Sequence, residues 1–387
     1  MEPRRTPETV GSAAARPGGA AVQAQTQAQT QEQAQAQALS LRLFLACLGS
    51  AELMAAYLGI TLGLYEALSD RDSLTPAALA TLAGIDQRYA REWLEQQAAA
   101  GVVTVDDARK PAHERAYTLP RGHAEALTNP DSPYYVAPLA VFPVGGIAGV
   151  LPKLIDAYRA GSGVDYADYG AALRGGQGGL NRSVFVNDLA RWIRTTMPDI
   201  SRRLNAGGRV ADVACGSGWS SIAIARAYPL VRVDGFDLDG ASVDDARVNA
   251  KEAGVADRVT FAVRDVADGL DGDYDLVCLL DALHDMARPV EVLSACRNLA
   301  ADTGAVLLME PRVGERFTAP AKDIERFIYA VSLLHCLPSG LAERPSAATG
   351  AVIRPPVVRD YARRAGFADV RALPAEHTFH RLYRLVL

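Results

Sequence analysis

The residues with the clearest chemical meaning gather around one stretch, Val210 to Gly218, which reads VADVACGSG. A β-prone run, Arg209 to Ala214, leads into Gly216 and Gly218, which carry no Cβ to hold a ligand away from the backbone. A helix from Trp219 to Tyr228 follows, stopped by Pro229, and the free N–H groups at its start point at whatever lies over the loop. A dinucleotide fingerprint needs a third glycine three positions after Gly218, where Ser221 stands, and an acid such as Asp212 is unusual in its first strand. The pattern therefore favours a nucleoside cofactor without a pyrophosphate. A second β run, Val231 to Phe236, ends in Asp237, nineteen residues after Gly218, where a carboxylate can accept from both hydroxyls of a ribose. A third, Val259 to Val263, leads to Asp265, whose carboxylate can accept from an adenine amino group.

The DVACGSG loop, Asp237 in GFDLD, Asp265 in FAVRD and the fourth strand with its exit, YDLVCLLDALHD, together resemble the class I S-adenosylmethionine-dependent methyltransferases. Ala214 departs from that family, which usually has glycine there, and its small methyl implies slightly altered packing. The resemblance implies an α/β fold, a Rossmann-like seven-stranded domain that binds S-adenosyl-L-methionine. Its expected cofactor residues are Asp212, Gly216, Gly218, Asp237, Leu238, Asp265, Val266 and Asp281, the last toward the methionine end.

Methyl transfer is an in-line displacement, so alignment and exclusion of water are the main tasks, and a general base helps when the acceptor oxygen is protonated. His284 in LHDM resembles the HDW phrase that carries the catalytic histidine of plant O-methyltransferases, and Glu310 matches the glutamate that orients it there. The second glutamate of the plant enzymes has no counterpart, because that region reads AVIRPPVV. Tyr169, Arg312, His335 and His377 are the expected acceptor-pocket residues. No metal site is expected: His377 and His380 form an HxxH, but on a strand that spacing sends the rings to opposite faces.

The elements that must position these groups follow in order. Residues 1–38, rich in Ala and Gln, hold too little apolar surface to offset the entropy of ordering and are expected to be disordered. Residues 39–125 form a mostly helical, winged-helix dimerisation domain. Its first part, Leu41 to Leu68, has apolar residues at helical spacing, interrupted by Arg42, Glu52, Glu66 and three glycines, as expected of a soluble packed helix pair whose face is buried at a domain or subunit interface. Thr75 and Asp86 cap two helices around an Ala83-Gly84 turn, and Val102 to Val105 with Tyr117 to Leu119 make the wing. Residues 126–184 are a helical connector, and 185–387 the methyltransferase domain with a helical lid inserted at 317–346.

The chain has 387 residues, 22% of them charged, and a net charge of −5, which gives no electrostatic case for a nucleic-acid or membrane partner. The winged helix carries no basic stripe for phosphates: from Thr75 to Pro120 its acids exceed its bases by one. Five cysteines form no CxxC pair and suit a reducing cytoplasm, and residues 1–38 lack the apolar core of a secretory signal. The resemblance implies a cytoplasmic homodimer that methylates a small molecule at oxygen, as in secondary metabolism. Two other readings use the same residues: a DNA-binding regulator that senses the cofactor, and a catalyst of cyclisation or rearrangement that keeps the sulfonium without transferring its methyl.

Overall fold

The computed structural model describes residues 18–387, with side chains from residue 27 onward. The chain divides into two units, the second spanning Leu53–Leu387. Helix α1 (Gly18–Thr61) runs through the division. The expectation of disorder over 1–38 is corrected for residues 18–38, which are helical; residues 1–17 lie outside the described residues. Ala and Gln are good helix formers, no Gly or Pro falls between Ala20 and Leu48, and a helix started in the apolar part extends without a second nucleation cost. Leu41, Phe44, Leu48 and Leu58 of α1 are exposed in the single chain, so the apolar face expected to be buried is open. By length and composition, Gln27–Thr61 and Pro138–Ala160 are apolar enough to cross a membrane.

After α2 (Leu64–Ser69), the pair α3 (Pro76–Ala83) and α4 (Gln87–Ala99) forms as its caps dictate. The Thr75 hydroxyl accepts from Ala78 N and the Asp86 carboxylate from Arg88 N and Tyr89 N, while Gly84 takes the left-handed turn between them. Strands β1 (Thr104–Val105) and β2 (Tyr117–Thr118) pair antiparallel as the wing. Leu64, Leu68, Leu79, Trp93, Leu94 and Tyr117 make the small core of this region.

The connector is helical from Pro138 to Ala160 and again over Gly170–Val184. The latter helix is dense in glycine because it packs closely: a Cβ on Gly176 would fall 2.8 Å from the backbone of Phe142.

Seven strands form the main sheet: β3 (Arg209–Val213), β4 (Arg232–Asp237), β5 (Val259–Val263), β6 (Tyr274–Leu280), β7 (Ala300–Pro311), β8 (Asp369–Ala372) and β9 (His380–Val386). Their order is β5-β4-β3-β6-β7-β9-β8, parallel except for β9, which runs against both neighbours. Burial on both faces explains the runs of Val and Leu: Cys278 and Leu307 face one core cluster, Leu279 and Leu308 the other. Helices Asp323–Val331 and Leu337–Gly340, with Ser332–Cys336 between them, lie within residues 317–346, the segment expected to form a lid.

Three described residues other than glycine have a left-handed backbone, Ala214, Asp281 and Ala348. Ala214, the residue after β3, has φ 54°, a left-handed conformation that the family's glycine would adopt freely. Alanine there costs roughly 1–2 kcal/mol, while glycine's greater freedom in the unfolded chain returns about 0.5–1 kcal/mol. Ala214→Gly is therefore expected to raise stability by about 0.5–1 kcal/mol, read by urea denaturation; an unchanged or lower midpoint would mean the loop relaxes around alanine.

Candidate functional site

Strands β3 and β6 lie side by side, and the chain leaves them in opposite directions, to β4 and β7. A crevice opens there above their carboxyl ends. The two loop glycines do different work. Gly218, φ 80°, lies on the packed side, where a Cβ would stand 2.7 Å from the Phe261 ring and 2.9 Å from Ala246 Cβ. Gly216, φ 50°, has open space where its Cβ would be and leaves the backbone bare toward the crevice. Asp237, at the end of β4, accepts from Gly216 N at 2.8 Å and Asp239 N at 2.9 Å, so the same carboxylate shapes the loop and faces the crevice.

The crevice is a cavity of about 400 Å³ lined by Gly216, Asp237, Leu238, Asp265, Val266 and Asp281 among others, which brings together six of the eight expected cofactor residues. Asp265 accepts Ala267 N at 2.8 Å and pairs with Arg288. Six carboxylates line the cavity against three guanidinium groups, an excess that fits a ligand carrying a sulfonium and an ammonium and disfavours a pyrophosphate. The residues present thus fit S-adenosylmethionine. Burial raises the Asp281 pKa to about 6.

Two of the eight lie elsewhere. Gly218 packs as described. Asp212 is buried beneath the loop, where its carboxylate accepts from the hydroxyls of Ser220 at 2.5 Å and Ser221 at 2.6 Å. The assignment of Asp212 to the cofactor is corrected accordingly: the carboxylate ties β3 to the helix Trp219–Ala227, and Ser221, in the position of the missing third glycine, is one of its partners. The next helix, Gly240–Glu252, is capped by Asp239, whose carboxylate accepts from Ser242 N at 2.9 Å.

Sequence reasoning missed the roof. Arg174, Gln177, Gly178 and Asn181 of the helix Gly170–Val184 line the cavity, and a Cβ on Gly178 would fall 2.4 Å from Ser217 Oγ. The signal was present in GGQGGLN, since paired glycines within a helix mark a close approach, but its target was not readable.

Beyond β6, His284 and Glu310 meet in the interior. Glu310, near the end of β7, is 1% exposed and accepts from Leu283 N at 2.9 Å, while its other oxygen lies 2.6 Å from His284 Nδ1. On the other side of the ring, Asp285 Oδ1 stands 3.3 Å from His284 Nε2, and Asp285 lines the cavity. Burial by itself lowers the histidine pKa, but the Asp285 and Glu310 carboxylates outweigh it and hold the imidazole well above its usual value. Asp285, the neighbour of His284 in LHDM, is the acid that sequence reasoning passed over.

The four expected acceptor residues separate into two places. Tyr169 and His335 are buried together, rings 4.9 Å apart and nearly perpendicular, with Phe142 and Tyr166 against the same imidazole. Arg312 and His377 lie apart from them, joined by a 2.8 Å bond from the guanidinium to the His377 carbonyl. None of the four lines the cavity described above. The HxxH geometry is also corrected: the His377 and His380 rings stack at 9° with centroids 5.0 Å apart. His377 belongs to the turn before β9, where it accepts from the Phe379 and His380 amides, so strand alternation does not govern it.

Comparison with known proteins places the fold and the family. Residues 204–338 match a methyltransferase domain model, and residues 49–129 match an Rv2258c-like winged HTH domain. A ubiquinone biosynthesis O-methyltransferase of Ralstonia nicotianae is 31% identical over 189 residues, covering 47% of this chain and 70% of that protein. Among solved structures, the mitomycin 7-O-methyltransferase MmcR aligns with a TM-score of 0.66 at 20% identity, over 91% of this chain and 99% of that one. Human N-acetylserotonin methyltransferase, solved with S-adenosylmethionine, aligns with a TM-score of 0.66 at 17% identity, over 90% and 97%. At these identities the two structures speak to the fold, while the sequence match speaks to kinship. The chain belongs to the S-adenosylmethionine-dependent methyltransferases and carries an N-terminal winged-helix domain.

Proposed function

We propose that this methyltransferase acts on an oxygen of a small molecule, with His284 as general base and Glu310 as the group that positions it. The observation that carries the reading is the buried 2.6 Å contact between His284 Nδ1 and Glu310 Oε2. The similar proteins include a ubiquinone biosynthesis O-methyltransferase and the mitomycin 7-O-methyltransferase MmcR, which supports oxygen as the acceptor atom.

Bound S-adenosylmethionine supplies an electrophilic methyl group. The chain's own residues do the rest. Asp237 offers its free lone pairs to the ribose hydroxyls, Asp265 to the adenine amino group, and Asp281, half-buried just beyond β6, to the cationic end of the ligand. Asp285, between the cavity and His284, is the carboxylate an acceptor hydroxyl meets, and Nε2 behind it takes the proton as the methyl group is transferred. Glu310 holds Nδ1–H, fixing the tautomer and stabilising the imidazolium. The exposed apolar face of α1 supports a homodimer in which a second copy covers it. A full chain that sediments as a monomer would remove that assignment.

Loss of the Asp237 carboxylate removes charge-assisted hydrogen bonds of about 1.5–3 kcal/mol each. Calorimetric titration of S-adenosylmethionine into Asp237→Ala is expected to show affinity reduced by about 100-fold or more, and near-wild-type affinity would detach this acid from the cofactor. His284→Ala should slow single-turnover methyl transfer by about 100-fold or more; a near-wild-type rate rejects the base.

The pH dependence gives an independent test. A base works in its neutral form, so activity rises with pH through the His284 pKa, and the two carboxylates put that acid limb above the ordinary value of 6.5. Glu310→Gln removes one anion, so the limb is expected to move to lower pH while the maximal rate falls. A limb that stays in place would mean another group titrates.

A further inference from the structure

The ring nitrogen assigned to the proton faces a second set of donors. Ligand atoms of His284, Asp285 and Cys336, one from each, all lie within 4.8 Å of one another. They come from two elements, the turn after β6 and the lid segment Ser332–Cys336. Asp285 Oδ1 is buried and has no hydrogen-bond partner, and it points at His284 Nε2 from 3.3 Å. His284 and Cys336 are themselves buried, and Asp285 opens on the cavity, from which an ion can enter.

We propose that His284 Nε2, the Asp285 carboxylate and the Cys336 thiolate bind one thiophilic divalent cation of the zinc type. Imidazole, carboxylate and thiolate are the donors such an ion prefers, and three protein ligands with a fourth position open to a cavity is a common arrangement around zinc. The charges balance: two anionic ligands and a neutral imidazole around a dication give no net charge in a buried place. The thiol proton and the proton on Nε2 leave to solvent as the metal binds. The other side of the ring is already arranged, because a metal-bound histidine typically donates its second N–H to a carboxylate, as Nδ1 is placed to do toward Glu310 at 2.6 Å. Zinc–ligand bonds of 2.0–2.3 Å set ligand atoms about 3.5 Å apart, so the cluster has to contract by roughly 1 Å, within reach of side-chain rotation on the lid.

Two consequences follow. The ion pins the lid segment to the exit of β6, and it takes the lone pair that otherwise accepts the acceptor's proton. The second consequence rests on His284 being the base, whereas the binding itself does not.

The test uses the full chain, stripped with chelator and titrated with Co²⁺ under reducing, oxygen-free conditions. One equivalent is expected to produce thiolate-to-cobalt charge-transfer absorption, which Zn²⁺ bleaches and Mg²⁺ or Ca²⁺ leaves unchanged. Cys336→Ser should abolish the band, and Glu310→Gln should retain it with affinity about 10–100-fold weaker. No band in the wild type overturns the proposal without reliance on any variant. A band that survives in Cys336→Ser assigns the metal to another thiol and overturns it equally. If the band forms and methyl transfer persists at saturating Zn²⁺, the metal site stands and the base assignment falls.

Discussion

Four carboxylates stand along the carboxyl edge of one sheet, Asp212 and Glu310 fully buried and Asp237 and Asp281 partly so, and the shape of the site follows from how each is satisfied. Taking a carboxylate out of water costs several kcal/mol unless donors replace the solvent. Asp212 receives two serine hydroxyls, Asp237 two backbone amides, and Glu310 one backbone amide and an imidazole. Every one of these donors lies in a loop or first helical turn that borders the crevice. The acids therefore act as fixed posts to which the loops are tied. Asp281 differs from the other three in having a left-handed backbone, and His380 Nε2 lies 3.7 Å from its carboxylate. Its carboxylate lines the cavity, where we propose that it meets the cofactor's cationic end.

Strand register explains how residues distant in sequence reach one another. Leu280 of β6 pairs with Met309 of β7, so the first residues beyond β6 pass directly over Glu310. The Asp281 amide donates to the Met309 carbonyl at 2.8 Å and the Leu283 amide to the Glu310 carboxylate, which brings the His284 ring down onto the same acid. A shift of one residue between these strands would turn Glu310 to the other face of the sheet. The roof comes from a different source. Glycines in the helix Gly170–Val184 let it settle onto the β3 loop and onto the helix before it, so Arg174, Gln177 and Asn181 close a cavity whose lining also includes the ends of β3, β4 and β6.

The histidine stands between two acids, and this accounts for both of its proposed chemistries. Glu310 on one side fixes the tautomer; Asp285 on the other keeps negative charge next to the atom that exchanges protons. An imidazole so placed holds a proton more firmly than an ordinary histidine, and the same field attracts a metal cation. Cys336 arrives on the lid and turns a proton-binding position into one with metal-binding donors.

Much of the fold was legible because its signals are local. Thr75, Asp86 and Gly84 announce the two helices of the winged helix, and the β runs expected at 209–214 and 259–263 and the fourth strand expected in YDLVCLL fall where the structure has strands, Arg209–Val213, Val259–Val263 and Tyr274–Leu280. The glycine loop, Asp237 and Asp265 were readable for the same reason: each lies at the end of its own strand, and spacing along the chain is enough to find it. Asp212 misled because an acid beside a binding loop looks the same in sequence whether it faces a ligand or two serines. Helix formation over residues 18–38 was missed because composition reports what a segment buries, not whether a neighbouring helix carries it along. The partner on the far side of His284, the roof over the cavity and the thiol on the lid arise from register, crossover and close packing between segments many residues apart. Local sequence determined which residues would bear the chemistry. The tertiary structure decided which of them meet, because a side chain's direction depends on the surface its element packs against, and no periodicity within that element encodes it.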